Sequence, residues 1–240
     1  MELAQRIEHT LLKPEATVKD IMRLCDEAQQ YHLYAVCVNP CYVPLAKHLL
    51  QGTDVKVVTV VGFPLGATFS CVKALEAKTA MEEHADEIDM VMNVSAFKTG
   101  DYAAVTEDIR RVVEAAAPCP VKVIIEAAYL TPREKRTACR IITDGGAKFV
   151  KTSTGFGKGG ATVEDVKLLH EEGCGADCSS YTELLMADAV GFKGDEIMFS
   201  SNDTPAEDFQ LARKLNATIN LDDITHIDFL ERVADIPDTV

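Results

Sequence analysis

Residues 121–152 read VKVIIEAAYLTPREKRTACRIITDGGAKFVKT. The apolar run Val121–Ala127 reads as a buried strand. The segment Thr131-Pro132-x-Glu134 reads as a helix start, with threonine capping and proline at the first helical position. Beyond that helix, Lys148–Thr152 reads as the next strand. Strand, helix and strand in this order, with no hairpin signal between apolar strands, describe a parallel crossover covered on both faces.

The same rhythm extends in both directions. Upstream lie the strand-like runs Tyr34–Val38, Val55–Val61 and Glu87–Val94, with helical stretches through Leu50, over Cys71–His84 and over Asp101–Ala116. Thr17 or Asp20 opens an earlier helix that runs to Gln30, and Met1–Thr10 reads as a short helix. Downstream, the helix Thr162–Glu172 precedes three tighter pairs. These are Ala176–Ser179 with Tyr181–Val190, Glu196–Ser200 with Pro205–Leu215, and Ala217–Leu221 with Ile224–Ala234. Eight strand–helix units predict an α/β fold of the closed (β/α)8 barrel type, one domain over residues 1–240. An open sheet would also fit if one short late strand did not form.

The chain has 240 residues, 47% of them apolar and 26% charged, with a net charge of −14. That charge argues against nucleic acid or an anionic membrane as partner. The eight cysteines are scattered. None forms a C-x-x-C pair, and no secretory signal is seen, so they read as reduced thiols of a cytoplasmic protein. Cys174 and Cys178 have no histidine at zinc spacing, so no metal is expected. The longest apolar run, around Val57–Ala67, is interrupted by Gly62 and Pro64 and is too short to span a bilayer.

Charge inside a buried strand needs a reason. Lys151 stands where the strand Lys148–Thr152 gives way to the loop Ser153-Thr154-Gly155-Phe156-Gly157. Burial disfavours its ammonium form and favours a nucleophilic amine, which is the chemistry of a Schiff base. Asp89 sits mid-strand in EIDMVMN. Lys122 and Glu126 fall on one face of VKVIIE by strand parity. A carboxylate between two lysines suits proton transfer, with one amine attacking and the other cation lowering its pKa. A buried ion cluster that fixes register without chemistry is the competing reading. His226 and the acids Asp222, Asp223, Asp228, Glu231 and Asp235 read as helix-surface residues, and Gly157–Gly160 alone is weak evidence for a phosphate loop.

Up to about residue 170, the stretches IEHTLLKPEAT, AVCVNP, VVGFPLGAT, ADEIDMVMNV, GDYAAVTEDI, VKVIIE and FVKTSTGFGKGGATVEDV resemble deoxyribose-phosphate aldolase. The resemblance implies Schiff-base cleavage of 2-deoxyribose 5-phosphate to acetaldehyde and glyceraldehyde 3-phosphate, with no cofactor. On it, Lys151 matches the Schiff-base lysine, Asp89 the proton-relaying aspartate, and Lys122 the lysine beside the reactive one. Gly155 matches a phosphate-side position and, with Cys37 and Thr152, makes up the expected substrate-binding set. Two positions depart from the family pattern: Glu8 replaces its usual Asp, and Ala127 its usual Thr.

The tail departs further. The family's second essential lysine, in a V-K-A-S-G-G-I run, and its G-T-S-S-type phosphate loop are both missing. From about Gly173, the stretches GADCSS, IMFSSNDTPAEDF and NLDDITHIDFLERV instead resemble the barrel domain of diaminopimelate decarboxylase, a pyridoxal-phosphate enzyme. That family's cofactor motifs are absent, so the cofactor is not expected to bind. The resemblances together imply a chimeric barrel, with five aldolase units over residues 1–170 and three decarboxylase units over 171–240. In the decarboxylase the segment supplies strands two to four. Used here as six to eight, it moves by four, and each strand keeps its layer parity. Looser packing is expected at the two new seams. Two functions stay open: a lyase of very weak or lost native activity acting on a small phosphorylated sugar or aldehyde, or a scaffold without activity. A homodimer is also left open.

Overall fold

The computed structural model describes residues 8–160, 162–172, 176–178, 181–194, 197–201, 206–221 and 232. The expected helix Ile224–Ala234 apart from Arg232, together with His226, Asp222, Asp223, Asp228, Glu231 and Asp235, lies outside these residues, as does Cys174. Strands and helices alternate through β1 (Glu8–Leu11), α1 (Val18–Gln30), β2 (Ala35–Val38), α2 (Val43–Leu49), β3 (Lys56–Val61) and α3 (Ser70–Glu82). β4 (Glu87–Val91), α4 (Val94–Lys98), α5 (Tyr102–Ala116), β5 (Val121–Ile124), α6 (Pro132–Asp144) and β6 (Phe149–Lys151) follow. The last elements are α7 (Val163–Glu171), β7 (Ala176–Cys178), α8 (Tyr181–Val190), β8 (Ile197–Ser201), α9 (Ala206–Lys214) and β9 (Thr218–Leu221).

Every strand pairing is parallel. β1 to β6 form one sheet in chain order, curled into a half-barrel, and β7, β8 and β9 form a second. Among the described residues no ladder joins β6 to β7. β9 comes alongside β1, with Cα atoms within 8 Å. Within β6, Phe149 is 45% exposed.

Of the helix expected over Met1–Thr10, residues 1–7 lie outside the described residues, and residues 8–10 belong instead to β1, which pairs Glu8 with Ala35 and Leu11 with Val38. Glu8, His9 and Thr10 are polar because the strand is read from both sides. His9 reaches outward to Glu27 of α1 at 2.8 Å, while Glu8 reaches inward. With β1 counted, the described residues hold nine strands, where the sequence suggested eight. The tail then supplies the seventh to ninth strands, a displacement of five, so the parity argument for its fit does not hold.

Two apolar clusters account for the layering. The larger lies between strands and helices and includes Val36, Val57, Ile88, Val123, Ile109 and Phe209. The smaller, Ala35, Cys37, Val58 and Val60, lies on the opposite face of β2 and β3. Alternation along β2 and β3 thus sends one set to the helices and the other to the concave side, as expected for parallel strands covered on both faces.

Local signals place the helices. Thr17, Thr131 and Thr162 each accept from the backbone N–H three residues on, and Asp20, Glu134 and Asp165 bond back in capping boxes. Asp165 also pairs with the buried Lys135 of α6. Arg136 joins Glu172 at 3.0 Å. α6 and α7 are thereby fastened to each other by charge as well as packing.

Candidate active site

The concave face of β4, β5 and β6 carries the charged cluster. In-register pairing sets Asp89 beside Lys122 and Ile124 beside Lys151, so the three polar side chains arrive from adjacent strands. Lys151 Nζ lies 3.0 Å from Asp89 Oδ2, and Lys122 Nζ lies 3.1 Å from Asp89 Oδ1. Asp89 is fully buried, and each of its oxygens takes one ammonium group. Burial by itself pushes its carboxyl up, but the two lysines more than offset this and hold it below the ordinary carboxylate range.

The cluster has two more members: Glu87, which sequence reasoning passed over, and Glu8, which it noted only as a departure from the family pattern. Lys122 Nζ also meets Glu87 Oε2 at 2.8 Å and Glu8 Oε1 at 3.0 Å. Glu87 in turn accepts the hydroxyl hydrogen of Tyr34. Burial disfavours the Lys122 ammonium, yet Asp89, Glu8 and Glu87 together hold it well above the ordinary lysine range. Parity along β4 would have found Glu87, two residues before Asp89. Glu8 needed the strand that was read as helix. Three carboxylates face two lysines, so the cluster holds an excess of negative charge.

The remaining predicted residues spread around this cluster. Cys37 is buried in β2, where burial first and then Asp89 push its thiol far up, leaving it neutral. Thr152 is buried just beyond β6, and its carbonyl accepts from Ala127 N at 2.8 Å. Gly155 sits in the exposed loop after it with φ +78°, a conformation that suits glycine.

Glu126 does not share a face with Lys122, contrary to strand parity. β5 stops at Ile124, and Glu126 takes a left-handed conformation, φ 49° and ψ 65°. This turns its carboxylate to Thr154, where Oε2 accepts from both the backbone N–H and the hydroxyl.

Among the described residues, no three His, Cys, Asp or Glu side chains are placed to hold a metal ion, and no helix is long and apolar enough to cross a membrane.

A curled half-barrel of parallel strands with a lysine and a buried carboxylate on adjacent strands is an α/β arrangement of the kind in which sites collect at the C-terminal strand ends. Residues 3–190 match the DeoC/LacD family aldolase, and the chain belongs to that family. It is 57% identical over 175 residues to the deoxyribose-phosphate aldolase of Thermococcus gammatolerans, covering 71% of this chain and 78% of that one. The solved structure titled "QR15, an Aldolase" superposes with a TM-score of 0.77 at 31% identity, covering 97% of both chains. The tetrameric deoxyribose phosphate aldolase of Aeropyrum pernix gives a TM-score of 0.72 at 29% identity, over 95% of this chain and 89% of that one.

A second match overlaps the first. Residues 158–239 resemble the pyridoxal binding domain of pyridoxal-dependent decarboxylases. Within that range Lys158, Lys167, Lys193 and Lys214 are all exposed. As exposed amines they would leave the cofactor's imine open to water, so these four lysines do not fit pyridoxal phosphate.

Proposed function

We propose that this chain is a recombined aldolase barrel whose Lys151 forms a Schiff base with an aldehyde, and whose inherited reaction is retro-aldol cleavage of 2-deoxyribose 5-phosphate. The observation that carries the proposal is the Lys151–Asp89–Lys122 arrangement on β4 to β6. The neutral amine of Lys151 adds to the C1 aldehyde, and loss of water leaves an iminium. A base removes the C3 hydroxyl proton as the C2–C3 bond breaks and its electrons pass to the iminium. Glyceraldehyde 3-phosphate departs. The remaining enamine takes a proton at C2, and water hydrolyses it to acetaldehyde and free Lys151. Asp89, held as a carboxylate, orients the two amines and an intervening water that carries the proton.

Native turnover is expected to be very low. The family's second lysine has no counterpart, and Lys122 is a poor replacement because three carboxylates already neutralise it. Without the later glycine-rich loops, the substrate phosphate also loses backbone donors.

The finer architecture belongs to the same proposal. One domain over residues 1–240 closes a barrel from an aldolase-like part, up to about residue 170, and a decarboxylase-like part after it. The two overlapping family matches and the separate three-stranded sheet support this division. They equally favour the alternative of an inactive scaffold. A cytoplasmic location and a small phosphorylated sugar as partner follow from the aldolase reading.

Borohydride reduction in the presence of acetaldehyde, followed by peptide mass mapping, separates the two. Modification at Lys151 that is absent in Lys151→Met supports the aldolase. An unmodified Lys151 peptide in a folded protein leaves the scaffold.

A further inference from the structure

The loop after Lys151 is held by a residue outside the ion cluster. Glu126 is 4% exposed and lies between two backbone bonds that join the exit of β5 to that of β6: Ile125 N to Lys151 O at 2.9 Å, and Ala127 N to Thr152 O at 2.8 Å. Its left-handed backbone is unfavourable for a side chain of this size, and such a conformation persists only where the surroundings enforce it. The turn carries the carboxylate across to the loop. Oε2 accepts from Thr154 N at 3.3 Å and from the Thr154 hydroxyl, and Thr154 Oγ1 accepts from Phe156 N at 3.0 Å. Gly157 closes over the same carboxyl, where a Cβ would stand 2.8 Å from Cδ. One buried side chain thus holds Thr154 directly, Phe156 through the Thr154 hydroxyl, and lies against Gly157.

Lys151 is positioned by other means. Its backbone is in the β5 ladder and its amine is on Asp89. The amine and the loop are thus held by different side chains, Asp89 for the one and Glu126 for the other. We infer that Glu126 is a positioning residue that acts through Thr154 to shape residues 153–157 for the phosphate end of the substrate, leaving the amine chemistry to Asp89 and β5. This rests on the aldolase reading above.

The test is stoichiometric borohydride trapping on Lys151, titrated with 2-deoxyribose 5-phosphate, with 2-deoxyribose and with acetaldehyde. The parent chain is expected to half-saturate with the phosphorylated sugar at least fivefold below the unphosphorylated one. Thr154→Val and Glu126→Ala are expected to reduce that preference below twofold while half-saturation with acetaldehyde stays within twofold. Glu126→Gln, which still offers an acceptor to Thr154 N, is expected to retain the preference. Thr154→Val alters a half-buried loop position and keeps the test valid if Glu126→Ala does not fold. Retention of the phosphate preference in Thr154→Val, or equal loss for all three aldehydes, overturns the inference and leaves the aldolase reading intact. A parent chain trapped by acetaldehyde but without phosphate preference also overturns it. No trapping at Lys151 with any aldehyde removes the aldolase reading and this inference with it.

Discussion

Lys73 Nζ lies 2.6 Å from Asp108 Oδ2, and Lys73 has no exposed surface at all. The pair joins α3 to α5 on the helix side of the sheet, and the same ammonium donates to Val91 O at the end of β4 at 2.9 Å. Burial lowers the Lys73 pKa despite the Asp108 charge. A buried pair of this kind is strongly destabilising to break, because the partner left behind is an uncompensated charge.

Removing one partner should therefore cost more than removing both. Lys73→Met is expected to destabilise by about 3–5 kcal/mol, because Asp108 is left buried and unpaired. Lys73→Met with Asp108→Leu should recover most of that loss. Urea denaturation of the two single variants and the double variant gives the coupling energy. Additive losses would mean the two groups do not act as a pair.

The cluster on the concave face follows the same logic with a catalytic readout. Asp89→Asn keeps the shape but removes the counter-charge that Lys122 and Lys151 share, while Lys122 keeps Glu8 and Glu87, at a cost of about 1–3 kcal/mol. Borohydride trapping at Lys151 is expected to fall at least tenfold in any fraction that folds. Comparison of trap yield with circular dichroism on the same sample separates the two effects.

The pH dependence of that variant has a definite sign. Asp89 has its carboxyl lowered from 3.8 by Lys122 and Lys151 against the effect of burial, so its contribution is present above about pH 4 and disappears as pH falls through the lower folded value. Lys122 is raised above 10.5 by its three carboxylates against the effect of burial, so its contribution is present below about pH 10 and disappears as pH rises through the higher folded value. The stability gap between parent and Asp89→Asn should be flat from pH 5 to pH 9 and narrow below about pH 4. Chemical denaturation across that range checks it, and a gap unchanged at pH 2 would contradict the assignment.

Gly66 provides a backbone test. It has φ +66°, and a Cβ there would stand 2.1 Å from Met92 O. Gly52 has φ +83° with nothing within 4 Å of the same position. Gly52→Ala should cost only the left-handed penalty of about 1–2 kcal/mol. Gly66→Ala must also push the 62–66 loop off β4 and should lower the melting temperature markedly more. Thermal melts of the two variants decide it.

The strands that carry the charged cluster were readable because burial on both faces makes them continuous apolar runs, and a charge inside one, as with Asp89 or Lys122, stands out. The capping boxes at Thr17, Thr131 and Thr162 were legible for a local reason, since side chain and backbone three residues apart decide them. β1 was not legible. It is four residues long, begins with three polar residues, and owes its strand form to pairing with β2. Glu126 was misread for a related reason. Parity holds only while the strand lasts, and nothing local announced that β5 ends at Ile124.

The division of the described strands into two sheets bears on how the molecule comes apart. Among the described residues the two sheets communicate through the stacked helices α6, α7 and α8 and through β9 lying beside β1, with no backbone ladder across the junction. Heat or denaturant can release the three-stranded portion while the six-stranded portion keeps its amides protected from exchange. A single transition midpoint would then average two events, and the earlier one would leave Lys151 in its place beside Asp89.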